Sequence, residues 1–252
     1  MQLDLDLVTA FCLALGRSAA WTLVVPLTAN RAVAMTVRVS LAVTLAWAVA
    51  PLEVARAPMP TDVAGFVTAF VVQIGIGLVL GWLLALMVTA FDVAGAMVDL
   101  FAGFSLAAVF NPATNDIAAP FARLSQATFV ALLFATGGYL QVVAGFLASF
   151  EAVPAAATSG LDLDAMVAAS ALGDMLVIAT RMAMPVVGAV LLTEVALSAA
   201  ARFAPQANVF ILGLPVKAAV ALATMGLVFS YAGPFAERLV DAGLRLGDLM
   251  VG

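Results

Sequence analysis

The sequence predicts an all-α membrane protein that crosses the bilayer several times. Three observations carry this. Of 252 residues, 65% are hydrophobic and only 10% are charged, whereas a soluble domain carries roughly 25% charged residues. The mean hydropathy is +1.18, and no soluble fold hides that much apolar surface. The apolar residues also fall in long runs: 63–91 and 124–150 contain no charged residue at all.

The same composition excludes several functions. Ten Lys and Arg against fifteen Asp and Glu leave no basic footprint for nucleic acid. With no His and a single Cys, Cys12, neither a structural zinc site nor a haem site is expected, and no internal disulfide can form. No cofactor is expected. The first residues carry Asp4 and Asp6 and no cation before Arg17, the reverse of a cleavable signal peptide. Leu7 onward therefore reads as a first membrane helix.

Taken in order, 7–29 is apolar except for Arg17, and 30–38 reads as a short basic loop. Residues 39–52 form a short span, and 53–62, with two prolines and charges, a loop. Residues 63–91 make a long span. Residues 93–110 continue apolar apart from Asp99, and 111–120 is a turn-rich break. Residues 124–150 form one uninterrupted span, 151–174 an acidic connection, 175–201 a span holding Arg181, Pro185 and Glu194, and 218–236 a last span before a charged amphipathic tail. Basic connections at 30–38 and 202–217 alternate with acidic ones at 53–62 and 151–174 only if 92–123 does not cross. The positive-inside pattern thus predicts six crossings and a re-entrant or internally packed excursion.

Charges inside apolar runs are costly and normally face protein or water. Arg17 lies mid-run and is expected to pair with a carboxylate of this chain or of a neighbour. Asp92 and Asp99, seven apart, share a helix face, and Gly95 and Gly103 lie on or near it, which suits close packing or the wall of a wet cavity. Gly77 and Gly81 read as a helix-packing pair, not a dinucleotide fingerprint, which needs other spacing and a preceding strand. The lone lysine, Lys217, has no nucleophile setting, so an intramembrane enzyme is not indicated. A small ion-coupled secondary transporter using Asp92 and Asp99 is the alternative from another class; it would favour an inverted repeat, and none is evident.

The most specific stretch is 204–217, with two prolines, Gln206, Asn208 and Lys217 between apolar runs. Backbone of that kind is tolerated at membrane depth only when buried in protein or lining water. Ala204-Pro-Gln-Ala-Asn-Val-Phe and Gly213-Leu-Pro-Val-Lys217 resemble the signature of the flagellar biosynthetic protein FliR family and of its counterpart in virulence type III secretion. Arg17, Pro26, Arg38, Gly95, Gly103, the Phe110-Asn111-Pro112 turn and Arg202 match the family over about residues 10–235. Gly213 before Leu-Pro is more similar to the flagellar branch. Thr136-Gly-Gly-Tyr139 departs from the family's more polar group near mid-chain, and Asp92 and Phe101 stand where the family often has Gln.

The resemblance implies a non-enzymatic subunit of the flagellar type III export gate, in the bacterial inner membrane at the basal body. Its implied fold is a set of packed helical hairpins within a helical assembly of sibling subunits. The partners implied are FliP-like and FliQ-like subunits, an FlhB-like protein, unfolded export substrates and lipid. Residues 1–252 form one membrane domain, FliP-like over about 1–160 and FliQ-like over about 161–252. A pore plug maps to about 105–121, with Phe110, Asn111, Pro112, Asn115 and Asp116. Subunit packing falls to Arg17, Gly95, Gly103, Arg202, Pro205, Gln206, Asn208, Phe210, Gly213, Pro215 and Lys217.

Overall fold

The computed structural model describes residues 2–25, 33–104, 119–159, 165–203 and 209–230. Every regular element among them is a helix: α1 (Gln2–Val24), α2 (Met35–Arg56), α3 (Val63–Ala102), α4 (Pro120–Ala135), α5 (Gly138–Ala152), α6 (Ala165–Phe203) and α7 (Val209–Ser230). The chain is therefore an all-α membrane protein, as its composition requires. Among the described residues, four helices are long and apolar enough to cross a membrane, or five if the broken pair α4 and α5 counts as one, and Gly213–Phe229 is a shorter apolar helix. The charge alternation alone predicts six crossings.

Three boundaries differ from the sequence expectation, each for a physical reason. Residues 92–102 are not a separate excursion: α3 runs unbroken for 40 residues, because one exposed Asp92 does not interrupt a helix whose backbone bonds are all internal. Residues 124–150 are not one helix. Gly137 takes φ +74 and caps α5 from the left-handed region, which glycine enters without penalty. Finally, α2 continues through Pro51 to Arg56, so Glu53 lies in a helix and not in a loop. The acidic connection shortens accordingly, with α5 ending at Ala152 and α6 starting at Ala165.

The chain forms two compact units. Among the described residues, the first gathers those within 1–87 and 137–172; the second gathers those within 88–136 and 173–230. In the first, α1 buries Ala10, Leu13, Ala14, Arg17 and Trp21, a helical face at spacings of three and four. The small-residue pair on α3 brings two backbones together: a Cβ on Gly77 would stand 2.3 Å from the Arg17 carbonyl, and one on Gly81 2.9 Å from Val24 Cβ. Phe11 meets Trp47 of α2 edge-on at 5.8 Å, and Trp21 stacks on Phe146 of α5 at 4.5 Å. Ile76, Leu83, Val153 and Ala171 close the core.

In the second unit α4 buries Phe121, Ala122, Ser125, Phe129 and Leu133, again one face. Phe129 lies 4.5 Å from Phe91 of α3. Ala94, Val98, Ser125, Met182, Val186 and Met225 meet where α3, α4, α6 and α7 converge. Large exposed apolar side chains remain, including Trp47, Val63, Leu192 and Val195, as expected of surfaces that meet lipid or other protein.

Candidate functional site

Two buried charges organise the two units. The first is Arg17, fully buried. Its Nε donates to Gln73 Oε1 at 2.7 Å, one terminal nitrogen to Ser149 Oγ at 3.0 Å and the other to the Val153 carbonyl at 2.6 Å. The guanidinium carbon lies 3.9 Å from the centre of the Phe150 ring. Ser149 Oγ in turn donates a hydrogen bond to the Phe146 carbonyl at 2.6 Å. Gln73 Nε2 donates to the carbonyls of Pro154 and Ala155 at 3.2 and 3.1 Å.

The expected carboxylate partner of Arg17 is therefore not what these bonds provide. All three acceptors are neutral. One of them, the Val153 carbonyl, sits at the C-cap of α5, where the last carbonyls of a helix lack internal donors and carry partial negative charge. Arg17, with five donors in a planar fork, suits that end. Glu53 completes the same knot. It accepts the Ala155 N–H and, through Oε1, Arg56 at 3.1 Å, and Arg56 reaches Glu151 at 3.0 Å. Opposite charges thus act on residues 153 and 155 of one loop. The sequence carries a signal for this, since Gln73 and Ser149 are polar residues inside runs free of charge.

The second is Asp99, 2% exposed near the end of α3. Its carboxylate accepts the N–H groups of Phe121 at 3.1 Å and Ala122 at 2.9 Å. These belong to the first turn of α4, whose N-cap Ala119 offers no side-chain acceptor and whose first residue is Pro120. Asp99 thus caps a helix other than its own, where N–H groups are unpaired and anions are favoured. Gly95, one turn back, admits this approach: a Cβ there would stand 2.4 Å from the Phe121 carbonyl and 2.5 Å from Ala122 Cα.

Asp99 also holds the other end of the same segment. Gly103, at φ +90, ends α3. Phe104 N–H donates to the Asp99 carbonyl at 3.0 Å and Gly103 N–H to Leu100 at 3.3 Å, which is the Schellman pattern of bonds. Phe104 then packs edge-on against Phe121 at 5.6 Å. One residue therefore binds the chain where it leaves α3 with its carbonyl and where it enters α4 with its carboxylate. The fourteen residues 105–118 lie between.

Of the other residues singled out in the sequence, Phe110, Asn111, Pro112, Asn115, Asp116, Pro26, Pro205, Gln206 and Asn208 fall outside the described residues. Phe210 lies in α7. Asp92 is exposed and, unlike Asp99, uncovered by α4. With both Asp99 oxygens engaged by backbone, nothing supports an ion-coupling site at this pair. Arg202 is exposed in the last turn of α6. Gly213 is buried, its Cβ position 3.6 Å from Leu197 Cδ1. Residues 209–217 are helical, with Pro215 inside α7, so the polar interruption is shorter than expected. Lys217 pairs with Glu194 of α6 at 3.0 Å.

Residues 8–243 match the model of the family described as bacterial export proteins, family 1. The chain is 30% identical over 224 residues to flagellar biosynthetic protein FliR of Bacillus subtilis (strain 168), covering 87% of this chain and 86% of that one. It is 28% identical over 214 residues to FliR of Pectobacterium carotovorum subsp. carotovorum, covering 85% and 82%. Against Yop proteins translocation protein T of Yersinia pestis it is 30% identical over 153 residues, 59% and 58%. The match spans both buried anchors and both compact units, and the chain belongs to the bacterial export proteins, family 1, the family of the flagellar FliR proteins.

Proposed function

We propose that this protein is a non-enzymatic subunit of a flagellar type III protein export gate in the bacterial inner membrane, at the flagellar basal body. It packs there with FliP-like and FliQ-like subunits and an FlhB-like protein. It helps to form and plug the pore through which unfolded flagellar proteins leave. The observation that carries the reading is the extent of the match to proteins named flagellar biosynthetic, 82–86% of their length for two of them, against 58% for a translocation protein of another system.

The geometry supports the reading in two ways. A chain with Trp47, Leu192 and Val195 exposed gains from burial against sibling helices. A segment tied at both ends by Asp99, 105–118, is suited to a plug, because its roots stay fixed whatever the intervening residues do. The division into a FliP-like part over about 1–160 and a FliQ-like part over about 161–252 belongs to the same proposal. Removing residues 111–119 tests it. The expected result is an assembled gate that leaks small solutes, and unchanged permeability with normal assembly would sink the plug assignment. Expression with FliP-like and FliQ-like proteins should also raise the yield of the chain over expression alone.

A further inference from the structure

We propose that the face of α6 bearing Val177, Arg181, Met184 and Leu192 docks a membrane helix of a different chain, one that presents a carboxylate opposite Arg181. The proposal rests on the reading above that the protein works within an assembly.

Asp174 and Glu194 lie twenty residues apart on α6, roughly 30 Å at 1.5 Å per residue. That is about the thickness of the hydrocarbon core. Arg181 stands roughly 10 Å inside this stretch, two turns from Asp174. It is exposed, and it has no hydrogen-bond or ion-pair partner among the described residues. The contrast with Arg17 and Lys217, both satisfied within the chain, is direct. A guanidinium at that depth is costly unless another group meets it.

The neighbours on the face decide what that group is. Val177, Met184, Leu192 and Val195 are 47%, 62%, 73% and 67% exposed, and their spacing from Arg181 keeps them on one side of the helix. A wall of such side chains does not suit a water path. Gly173 and Gly188 have open space where a Cβ would be, so a second helix can approach closely. A second copy of this chain is a poor occupant. Two copies share one orientation in the membrane, so a two-fold contact through this face would bring Arg181 towards its own counterpart. A different chain carrying Asp or Glu meets the charge, the apolar flanks and the open glycines together.

The test uses the full chain in its native membrane, with a photo-crosslinking amino acid at Met184 or Leu192. The expected adduct joins a second protein, and mass spectrometry maps it to an apolar helix containing a carboxylate. Arg181→Leu should lower the adduct yield by more than about tenfold, as loss of one member of a desolvated charge pair does. Arg181→Lys should retain most of it. Arg181→Glu should lose it and regain it when the mapped carboxylate is replaced by Lys. Adducts only with lipid, with residues 231–252 of the same chain or with a second copy would overturn the proposal, as would an undiminished adduct in Arg181→Leu. If Arg181→Glu fails to accumulate, the mapping in the otherwise unaltered chain still decides. Export of flagellar proteins is measured alongside. Intact export with an intact adduct in Arg181→Glu removes the docking face and leaves the proposed function standing, whereas undisturbed export in cells lacking the chain removes the function itself.

Discussion

Arg17 and Asp99 are buried charges of opposite sign in different units of the molecule, and both are met by helix ends. Arg17 binds the carbonyl end of α5, at Ser149 and Val153. Asp99 binds the amide end of α4, at Phe121 and Ala122. Asp99 meets N–H groups that the helix leaves unpaired, and Arg17 meets one such helix-end group, the Val153 carbonyl, beside two neutral side-chain oxygens. The difference lies in redundancy. Around Arg17, the fragment 153–155 is also held by Gln73 and Glu53. Around Asp99, a single side chain supplies both acceptors for α4. The first arrangement fixes a loop from several sides; the second concentrates its control in one residue.

The comparison can be broken most strongly at Arg17. Replacing Arg17 with Met leaves the Val153 carbonyl and Gln73 Oε1 without their donor, and each buried polar group stranded in this way costs about 1–3 kcal/mol. Thermal unfolding in detergent should show a large loss, and Arg17→Lys should recover only part of it because one ammonium cannot reproduce a planar fork. Asp99→Ala comes next, at about 1–3 kcal/mol for stranded buried donors. Its signature is local: hydrogen exchange should speed up at Phe121 and Ala122 while residues 149–155 stay protected. Asp99→Asn, which keeps an acceptor oxygen, should fall between. If Asp99→Ala instead loosened 149–155, the two anchors would not be independent.

Backbone packing is a smaller lever on the same contrast. Gly95→Ala and Gly77→Ala each place a methyl within 2.4 Å of a backbone oxygen, and such overpacking costs about 1–3 kcal/mol. Gly188→Ala, where nothing lies within 4 Å, should leave the isolated chain's melting unchanged. The smallest effect belongs to Glu194→Gln. Its side chain is half exposed opposite Lys217, and pairs of this kind contribute about 0–1 kcal/mol, so melting should hardly move.

The helices were legible in the sequence because membrane helices announce themselves by length and apolarity, and α1, α3 and α6 were read that way. Their ends were less legible. Asp92 and Glu53 do not end their helices, because an exposed charge, or a buried one that finds partners, is absorbed by a helix that other contacts hold. Gly137 acts in the other direction: a glycine within an uncharged run carries no hydropathy signal, yet its left-handed backbone splits the run. Gly77, Gly81 and Gly95 were legible as packing residues through their spacing. The partners of Arg17 were not, since Ser149 and Val153 lie 132 and 136 residues away. Nothing local in the sequence marks such a meeting. Asp99 was noticed as a carboxylate, but its use as a remote helix cap depends on a chain reversal that periodicity does not encode.

The distance between Arg17 and its acceptors also sets a schedule for biosynthesis. The chain emerges at roughly 5–20 residues per second. Val153 is 136 residues downstream of Arg17, so it follows roughly 7–27 s later. For most of that interval α1 holds a guanidinium for which only one of its three acceptors, Gln73, has been made. The insertion machinery, lipid headgroups or water must shelter it meanwhile, and α1 cannot commit to its final burial until α5 has been made. The order of synthesis is thus the reverse of the order of need: the earliest helix waits for one of the later ones.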